Sequence, residues 1–312
     1  MFLANHQNAL LDALLIATHC KRKPYFLTRS DVFKTALLKV FFEFLQMIPV
    51  YRIRDGKNSL AGNTAIFERC AQLLGRGEAV LIFPEGNHSL KRRVRPLSKG
   101  FTRILFLALE SNPSMDIGIV PIGVNYANAA KFPDKAALYY GKEIRVQDFF
   151  DKKDVSGSAS RLKEEVYHHL KKLTTHIEEE SSYEEIVHTL DRAKVDYLDP
   201  AGVNRIIEEG TSPENRKIGK GKVALVKYIL RGAFSILNFP MLIIWSRFIK
   251  PKVSEPEFLS TTSFMYALLF YPFFYLLFIA GMLEFLNWPA TSIICLAHLT
   301  LNIVLVKLSW ED

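Results

Sequence analysis

A histidine and an aspartate lie close together near the start of the chain, in the stretch NHQNALLD at residues 5–12. A carboxylate that holds an imidazole in one tautomer, and stabilises the imidazolium, makes that imidazole a general base for a hydroxyl group. On a single helix the two side chains would point about 120° apart. We therefore expect His6 in the turn after a strand and Asp12 in the first turn of the next helix. Taken alone, such a pair is more often a surface histidine beside an acidic helix start.

A glutamate in the stretch FPEGNHS, residues 83–89, is a second candidate. Proline and glycine impose a turn there, directly after the buried apolar run EAVLIF. Open α/β sheets bind ligands at the carboxyl ends of their strands. The turn would therefore present Glu85 at a ligand-binding edge, although ordinary turn chemistry is the alternative interpretation.

Two arginines follow a short apolar strand in the stretch IPVYRIRDG, residues 48–56. A guanidinium group binds phosphate through a two-pronged fork of N–H donors. Arg52 and Arg54 are therefore candidate phosphate ligands, and a solvated charge at a strand end is the simpler alternative.

The apolar pattern up to about residue 150 indicates the elements that would position these residues. Short apolar runs alternate with longer runs of helical period, which predicts an α/β layer fold. The predicted strands cover residues 1–4, 24–28, 48–52, 78–83, 117–126 and 136–141. The predicted helices cover residues 9–20, 31–46, 59–74 and 100–110.

Composition divides the chain into three predicted parts. Residues 1–150 form the core with the candidate residues, and residues 151–222 hold charged helices and a linker rich in Gly, Pro and charge. Residues 223–312 carry long apolar runs and form membrane-associated helices. Within the second part, residues 199–222 are predicted to be an irregular connection.

Two spans in the third part, at about residues 260–283 and 285–306, contain no Asp, Glu, Lys or Arg. Each exceeds the about 20 residues that cross a bilayer, so they predict a transmembrane hairpin. A buried helical pair in a soluble protein is the alternative. Basic residues on both outer flanks, Lys250, Lys252 and Lys307, predict that both ends of the hairpin, and with them residues 1–150, lie on the cytoplasmic side.

The earlier apolar run from Gly232 to Ser246 contains Asn238 and Pro240 and is short for a span. It predicts an interfacial or re-entrant helix rather than a third crossing. Residues 31–46 carry large apolar side chains spread around the predicted helix. Core packing accounts for some of them, and an interfacial helix that admits a lipid accounts for those that face outward.

The formal net charge of +8 indicates anionic partners, such as an anionic membrane surface or a phosphorylated substrate. Nucleic acid is not among the predicted partners, because no zinc-finger spacing, RNP-like segment or basic heptad region occurs. The three cysteines share no metal-ligand spacing, so no metal site is predicted. A serine hydrolase is excluded by the lack of a G-x-S-x-G stretch.

Four stretches in one order carry a family resemblance: NHQNALLD, IPVYR, FPEGNHS and VPIGV at residues 120–124. They resemble the blocks of the glycerolipid acyltransferase superfamily over about residues 2–145. The resemblance implies an α/β acyltransferase sandwich, a mostly buried sheet flanked by helices, here followed by a C-terminal helical membrane region. It also implies transfer of a fatty acyl group from a thioester to a hydroxyl of a phosphorylated glycerol acceptor in phospholipid biosynthesis.

The resemblance implies a role for each block. His6 would be the general base on the acceptor hydroxyl, and Asp12 would orient it. Arg52 would hold the acceptor phosphate, with Glu85 and Gly86 on the glycerol backbone. Val120 and Pro121 would shape the acyl-donor side of the pocket. No metal or organic cofactor is implied, and the acyl-CoA or acyl-carrier-protein thioester acts as co-substrate.

Two departures from the superfamily pattern bear on these roles. The histidine and aspartate are separated by five residues, one more than the common form, as in fungal glycerol-3-phosphate and dihydroxyacetone-phosphate acyltransferases. The superfamily arginine after FPEG is replaced by His88, for which we expect hydrogen bonding or packing rather than proton transfer. The residues that could supply the missing charge are Arg92, Arg93, Arg95 and Lys99. A solvated basic loop is the competing interpretation.

Several points are left open at this stage. Lysophosphatidate is the first predicted acceptor, while glycerol 3-phosphate and other lysophospholipids are alternatives. A non-catalytic lipid-binding membrane protein is the alternative from another class. The predicted partners are membrane lipid and an acyl thioester donor, with acyl-carrier protein as a further candidate. The donor type and the oligomeric state are left open. Because only MFLA precedes the histidine block, we also expect the natural reading frame to extend upstream of Met1.

Overall fold

The computed structural model describes residues 1–30, 40, 42–51, 57–210 and 221–310, without the side chains of residues 57–61 and 221–224. These residues form two compact units. One comprises Met1–Ala127 and Ala136–Pro213, and the other comprises Asn128–Lys135 and Glu214–Asp312.

The first unit is built on a mixed sheet that the described residues form with seven strands. The strands are β1 Phe2–Ala4, β2 Tyr25–Arg29, β3 Met47–Val50, β4 Val80–Ile82, β5 Gly118–Tyr126, β6 Ala136–Tyr140 and β7 Ile144–Arg145. The order is β3-β2-β4-β1-β5-β6, with β7 also pairing with β5. The five neighbouring strands β3, β2, β4, β1 and β5 are parallel, and β6 and β7 are antiparallel to β5. The predicted α/β fold is therefore confirmed.

Helices connect and cover these strands. The helices of the first unit are α1 Ala9–His19, α2 Lys57–Gly75, α3 Gly100–Ser111, α4 Val155–Leu173, α5 Tyr183–Ala193 and α6 Pro200–Glu209. Of the predicted helix at residues 31–46, residues 31–39 and 41 lie outside the described residues, and Phe42–Phe44 are helical. Its apolar surface is visible at Val40 and Phe44, which are 65% and 82% exposed.

Helix α4 belongs to the main core. Its residues Leu162, Val166 and Leu170 are fully buried in the same cluster as Leu3 and Phe101. At its end, the carbonyl of Leu173 lies so close to Gly123 that a Cβ there would collide with it. The compact unit therefore extends past the predicted limit at residue 150.

The prediction of an irregular connection over residues 199–222 is wrong for its first half, which forms α6. The Asp199 carboxylate accepts a hydrogen bond from the amide of Gly202 at 3.1 Å, and Pro200 stands in the first turn. Gly210 ends the helix with a φ of +59°. These are ordinary start and stop signals, and the buried Val203 completes a small core with α5.

The second unit contains two helices long and apolar enough to cross a membrane, Pro256–Leu283 and Trp288–Trp310, among the residues described. Their α-helical parts are α9 Leu259–Leu283 and α10 Trp288–Trp310, and they match the predicted hairpin. The second helix begins three residues later than the predicted residue 285. The reason is Asn287, whose side-chain oxygen accepts from the amide of Ala290 at 3.1 Å and caps the helix.

A sharp bend separates two further helices of this unit, α7 Gly221–Leu237 and α8 Phe239–Ile244. The segments Leu225–Leu237 and Phe239–Lys252 meet at 88°, which is the geometry of a broken span or a re-entrant loop. Asn238 at the bend is fully buried, and its side chain donates to Asn302 Oδ1 at 2.8 Å. The predicted interfacial or re-entrant helix stays a prediction.

Replacing Leu162 by Ala should lower the free energy of unfolding of the first unit by about 2–5 kcal/mol, because it leaves a cavity in a packed core. Urea unfolding in detergent would measure the change. Glu164→Ala on the exposed face of α4 is the matched control and should shift stability by less than about 0.5 kcal/mol. Equal effects of both variants would show that α4 is not part of the core.

Candidate active site

His6 and Asp12 meet where β1 leaves the sheet. The chain turns after Ala4, and Asp12 lies in the first turn of α1. Its carboxylate Oδ2 is 2.8 Å from Nδ1 of His6. The expected placement of the two side chains is therefore seen, while their chemical roles stay predictions.

The Asp12 carboxylate is fully buried and held by four hydrogen bonds. Oδ2 also accepts from the backbone amides of Gln7 and Asn8, each at 2.8 Å. Oδ1 accepts from the Tyr126 hydroxyl at 2.7 Å. An ionised carboxylate oxygen only accepts hydrogen bonds. In the bond between Oδ2 and His6, Nδ1 of His6 therefore carries the proton. The lone pair of His6 then lies on Nε2, the atom that a general base needs.

Asn5 and Tyr126 are positioning residues that the sequence did not reveal. The side chain of Asn5 donates to the carbonyl of Val124 at 3.0 Å and accepts from its amide at 2.7 Å. It thereby continues the pairing of β1 and β5 into the turn that carries His6. Tyr126 is the last residue of β5, more than a hundred positions from Asp12. Its position at the end of a strand marked it as a possible site residue, but no short-range sequence pattern linked it to Asp12.

The stretch FPEGNHS lies beside this turn, because β4 pairs with β1 in parallel. A turn is closed by the amide of Gly86, which donates to the carbonyl of Phe83 at 3.1 Å. Gly86 has a φ of +78°, a region that favours glycine. The amide of Ser89 then donates to the carbonyl of His6 at 3.0 Å, so that the two loops are joined.

Aromatic contacts fix the plane of the His6 ring. It stacks on Phe83 with the ring centroids 4.1 Å apart and the planes 15° from parallel. His88 approaches its edge with the centroids 5.5 Å apart. The His6 side chain is 15% exposed, so that one part of the ring remains open to solvent.

Arg95 is the residue of the basic stretch that reaches this site. Its guanidinium donates from Nε to Glu85 Oε2 at 2.8 Å and also contacts that oxygen through Nη2. The same group donates to the side chain and carbonyl of Asn87, and Nη2 lies 3.4 Å from the carbonyl of His6. Arg95 thus ties the FPEG turn to the His6 turn.

The other basic candidates are placed differently. Arg92 donates to the carbonyls of Tyr126 and Ala127 at 3.0 and 2.8 Å and stacks on Tyr197. Arg93 pairs with Glu180 at 3.2 Å. Lys99 is exposed just before α3. Two N–H donors of Arg92 are directed to backbone carbonyls, and the prediction that this basic set binds substrate stays a prediction.

The remaining predicted site residues form two groups. Arg52 and Arg54 lie outside the described residues. Val120 and Pro121 lie in β5 opposite Phe2 and Leu3, half-buried and buried respectively. They are strand residues several positions before the carboxyl end of the sheet, and their predicted role on the acyl-donor side stays a prediction.

Glu85 is a buried carboxylate with a raised pKa. Its side chain is 2% exposed. Burial raises the pKa of Glu85 to about 7, although the Arg95 guanidinium acts in the opposite direction; the Asp12 carboxylate adds to the rise. Oε1 of Glu85 is buried and has no hydrogen-bond partner among the described residues.

Within the described parts of the chain, no group of three or more His, Cys, Asp or Glu could hold a metal ion. The predicted lack of a cofactor stays a prediction.

Residues 1–125 match the family model described as Acyltransferase. This segment belongs to the acyltransferase family. The matched range contains the His6, Arg52, Glu85 and Pro121 blocks, and the predicted superfamily resemblance is confirmed.

Two relatives of the acyltransferase domain are glycerol-3-phosphate O-acyltransferases 1 and 2 of Saccharomyces cerevisiae. They are 26% identical over 83 residues and 32% identical over 84 residues. Each match covers 27% of this chain and 11% of the relative, so the matched segment is about a tenth of the yeast proteins. A solved structure, the 1-acyl-sn-glycerophosphate acyltransferase PlsC from Thermotoga maritima, is 16% identical with a TM-score of 0.36. That match covers 54% of this chain and 64% of PlsC.

Replacing Tyr126 by Phe should weaken the His6–Asp12 arrangement, because the buried Asp12 loses the hydroxyl donor on Oδ1. We expect unfolding to become easier by about 1.5–3 kcal/mol, the range for hydrogen bonds to charged groups. Urea unfolding in detergent measures this. Tyr139→Phe is the control, since its hydroxyl binds the carbonyl of Leu198 at the surface and should matter less. An equal loss in both variants would contradict the special role of Tyr126.

Replacing Glu85 by Gln should change how stability depends on pH. The folded state holds the Glu85 proton more tightly than the unfolded chain does, so its contribution is present below about pH 4.5 and is lost as pH rises through about 7. The variant should therefore gain stability relative to the wild type as the pH rises from about 5 to about 8. Urea unfolding at both pH values is the measurement. Glu110→Gln, on the exposed side of α3, should leave the pH dependence unaltered; parallel curves for Glu85→Gln and wild type would refute the prediction.

Proposed function

We propose that this chain transfers an acyl group from a thioester donor to a hydroxyl of a phosphorylated glycerol acceptor. The observation that carries the proposal is the His6–Asp12 contact of 2.8 Å on a fully buried carboxylate. A module that only binds lipid has no need for an oriented imidazole with a free Nε2. The acyltransferase family match over residues 1–125 supports the same reaction class.

In the proposed reaction, the acceptor hydroxyl gives its proton to Nε2 of His6 as its oxygen attacks the thioester carbonyl carbon. The imidazolium formed in this step is stabilised by Asp12, which accepts the Nδ1 proton in a hydrogen bond. The tetrahedral intermediate then expels the thiolate, which takes up the proton from the His6 imidazolium and so restores the neutral imidazole. A new C–O ester bond replaces the C–S bond, and no acyl-enzyme forms.

Glu85 is suited to binding the acceptor. One of its oxygens is engaged by Arg95, while Oε1 is buried and lacks a partner in the described structure. A buried acceptor atom without a hydrogen bond is costly, and a substrate hydroxyl would satisfy it. We propose that Glu85 receives a hydrogen bond from a glycerol hydroxyl, next to the turn at Gly86.

The phosphate of the acceptor needs a cation that is not already committed. Arg95 is committed to Glu85 and Asn87, and Arg92 to carbonyl groups. We therefore keep Arg52 as the first proposed phosphate ligand, with Arg54 and the exposed Lys99 as further candidates.

Two acceptors are proposed in order. Glycerol 3-phosphate comes first, because both yeast relatives carry that substrate in their names and the five-residue separation of His6 and Asp12 fits that group. Lysophosphatidate comes second, supported by the exposed Val40 and Phe44 and by the two long apolar helices. The same helices support a membrane location, and basic flanks support a cytoplasmic catalytic face.

The test is thioester consumption by the purified full chain in lipid vesicles, with glycerol 3-phosphate and lysophosphatidate offered separately and with acyl-CoA or acyl-carrier-protein donors. We expect acyl transfer to one acceptor. His6→Ala should abolish it, by at least about a hundredfold, the lower range for general-base catalysis.

A matched control keeps this test specific. His19→Ala removes a histidine from the far end of α1 and should retain activity and vesicle binding. Full activity of His6→Ala would refute the mechanism. Inactivity of the wild type with every acceptor and donor would favour the lipid-binding alternative.

A further inference from the structure

The stretch that carries Arg95 is held from one side by a segment outside the family match. We name residues 91–95 the basic loop and residues 174–180, which connect α4 and α5, the strap. The amide of Ile177 in the strap donates to the carbonyl of Arg92 at 2.9 Å. The amide of Arg92 donates to the Tyr183 hydroxyl at 2.7 Å, at the start of α5. The basic loop is therefore fixed by its backbone as well as by its side chains.

His176 is the centre of this arrangement. Its Nδ1 accepts a hydrogen bond from the buried backbone amide of Val94 at 3.0 Å, and Nε2 lies 3.1 Å from Glu178 Oε2. An amide only donates, so Nδ1 must be unprotonated for this bond to exist, and the proton of the neutral ring lies on Nε2. The hydrogen bond between the Val94 amide and His176 therefore requires a neutral imidazole.

The strap is itself anchored to two helices. The amide of His176 donates to Asn204 Oδ1 at 2.9 Å on α6. The Asn204 side chain donates in turn to the carbonyls of Lys171 and Thr174, at 3.0 and 2.9 Å, at the end of α4. His176 is 7% exposed. Its backbone is thus held in place, and a change at its ring would act on the loop rather than on the strap.

Ion pairs also join the strap to the basic loop, but they hold the loop less strongly than the His176 bond does. Glu180 pairs with Lys91 at 2.9 Å and with Arg93 at 3.2 Å, but its side chain is 71% exposed. Exposed ion pairs contribute little to stability and are screened by salt. The buried Val94–His176 bond is the stronger link.

Val94 immediately precedes the residue that organises the active site. Arg95 binds Glu85 and Asn87 and approaches the carbonyl of His6. A shift of the loop at Val94 would withdraw that guanidinium from Glu85.

We propose that His176 is a positioning residue of the acyl-transfer site, whose neutral ring holds the basic loop so that Arg95 stays on Glu85, and whose protonation releases the loop. The proposal rests on the function proposed above. It makes acyl transfer dependent on a histidine that lies outside residues 1–125 and touches no substrate.

The surroundings of His176 set the direction of the pH effect. Burial lowers the pKa of His176, as do the nearby Lys171 and Arg93, whereas Glu178 acts in the opposite direction. The ring of Tyr167 lies edge-on with the centroids 6.0 Å apart. The unfolded chain takes up the proton first, so this histidine favours the folded loop at neutral pH and loses that effect as pH falls below about 6.5.

The experiment compares His176→Asn and His176→Leu with the wild type in the full chain. Asparagine offers Oδ1 near the position of Nδ1 and does not titrate, whereas leucine offers no acceptor. Hydrogen exchange of the basic loop, expressed as a protection factor, and the pH profile of acyl transfer are both measured. His168→Asn on the exposed face of α4 is the control and should behave as the wild type.

We expect the wild type to lose loop protection at acidic pH, while His176→Asn keeps it. Acyl transfer should fall further at acidic pH in the wild type than in His176→Asn, because the general base His6 is common to both proteins. His176→Leu should lose protection at every pH by about tenfold, the factor for one net hydrogen bond. An acidic loss in His176→Asn equal to that of the wild type would overturn the proposal, as would unchanged protection in His176→Leu. If the wild type transfers no acyl group, the proposed function fails and the positioning role fails with it, while the exchange data still decide whether His176 holds the loop.

Discussion

The buried carboxylate of Asp12 is the constraint on which the first unit depends. An ionised group without water is stable only when its acceptor sites are filled, and here the donors come from two parts of the chain. His6, Gln7 and Asn8 donate from the turn after β1, and Tyr126 donates from the end of β5. Asn5 adds a second tie between the same turn and β5. The hydrogen bonds to this one carboxylate therefore fix the sheet edge, the start of α1 and the orientation of the imidazole together.

The chain has His88 where the superfamily pattern has an arginine. Arg95 occupies the space next to Glu85 from seven residues further along the chain, and its donors are used within the protein. A guanidinium bound to a carboxylate offers less to a phosphate, so the proposed function assigns phosphate binding to other cations. The loop that carries Arg95 then requires support of its own, which the strap and its histidine supply.

Local patterns in the sequence were sufficient for the fold class, the main strands and the meeting of His6 with Asp12, because each depends on periodicity, turn residues or short spacing. They were insufficient where a contact spans a long stretch of chain. Tyr126 and His176 act on residues 114 and 82 positions away, and neither lies in a recognisable motif. Helix α6 was missed although its capping residues were present, since its few apolar residues pack on α5 and not on the main core. The basic stretch was predicted as one set, and only packing separated Arg95 from Arg92.

Helix α4 also decides where this chain can be cut. Its charged surface suggested an appendage, yet Leu162, Val166 and Leu170 fill the core beside Leu3, and Leu173 lies against Gly123 in the strand that ends at Tyr126. A fragment that ends at the limit of the family match would expose that apolar surface and lose the strap. The smallest piece to express on its own is therefore not the family domain but the segment that continues through α6 to Gly210.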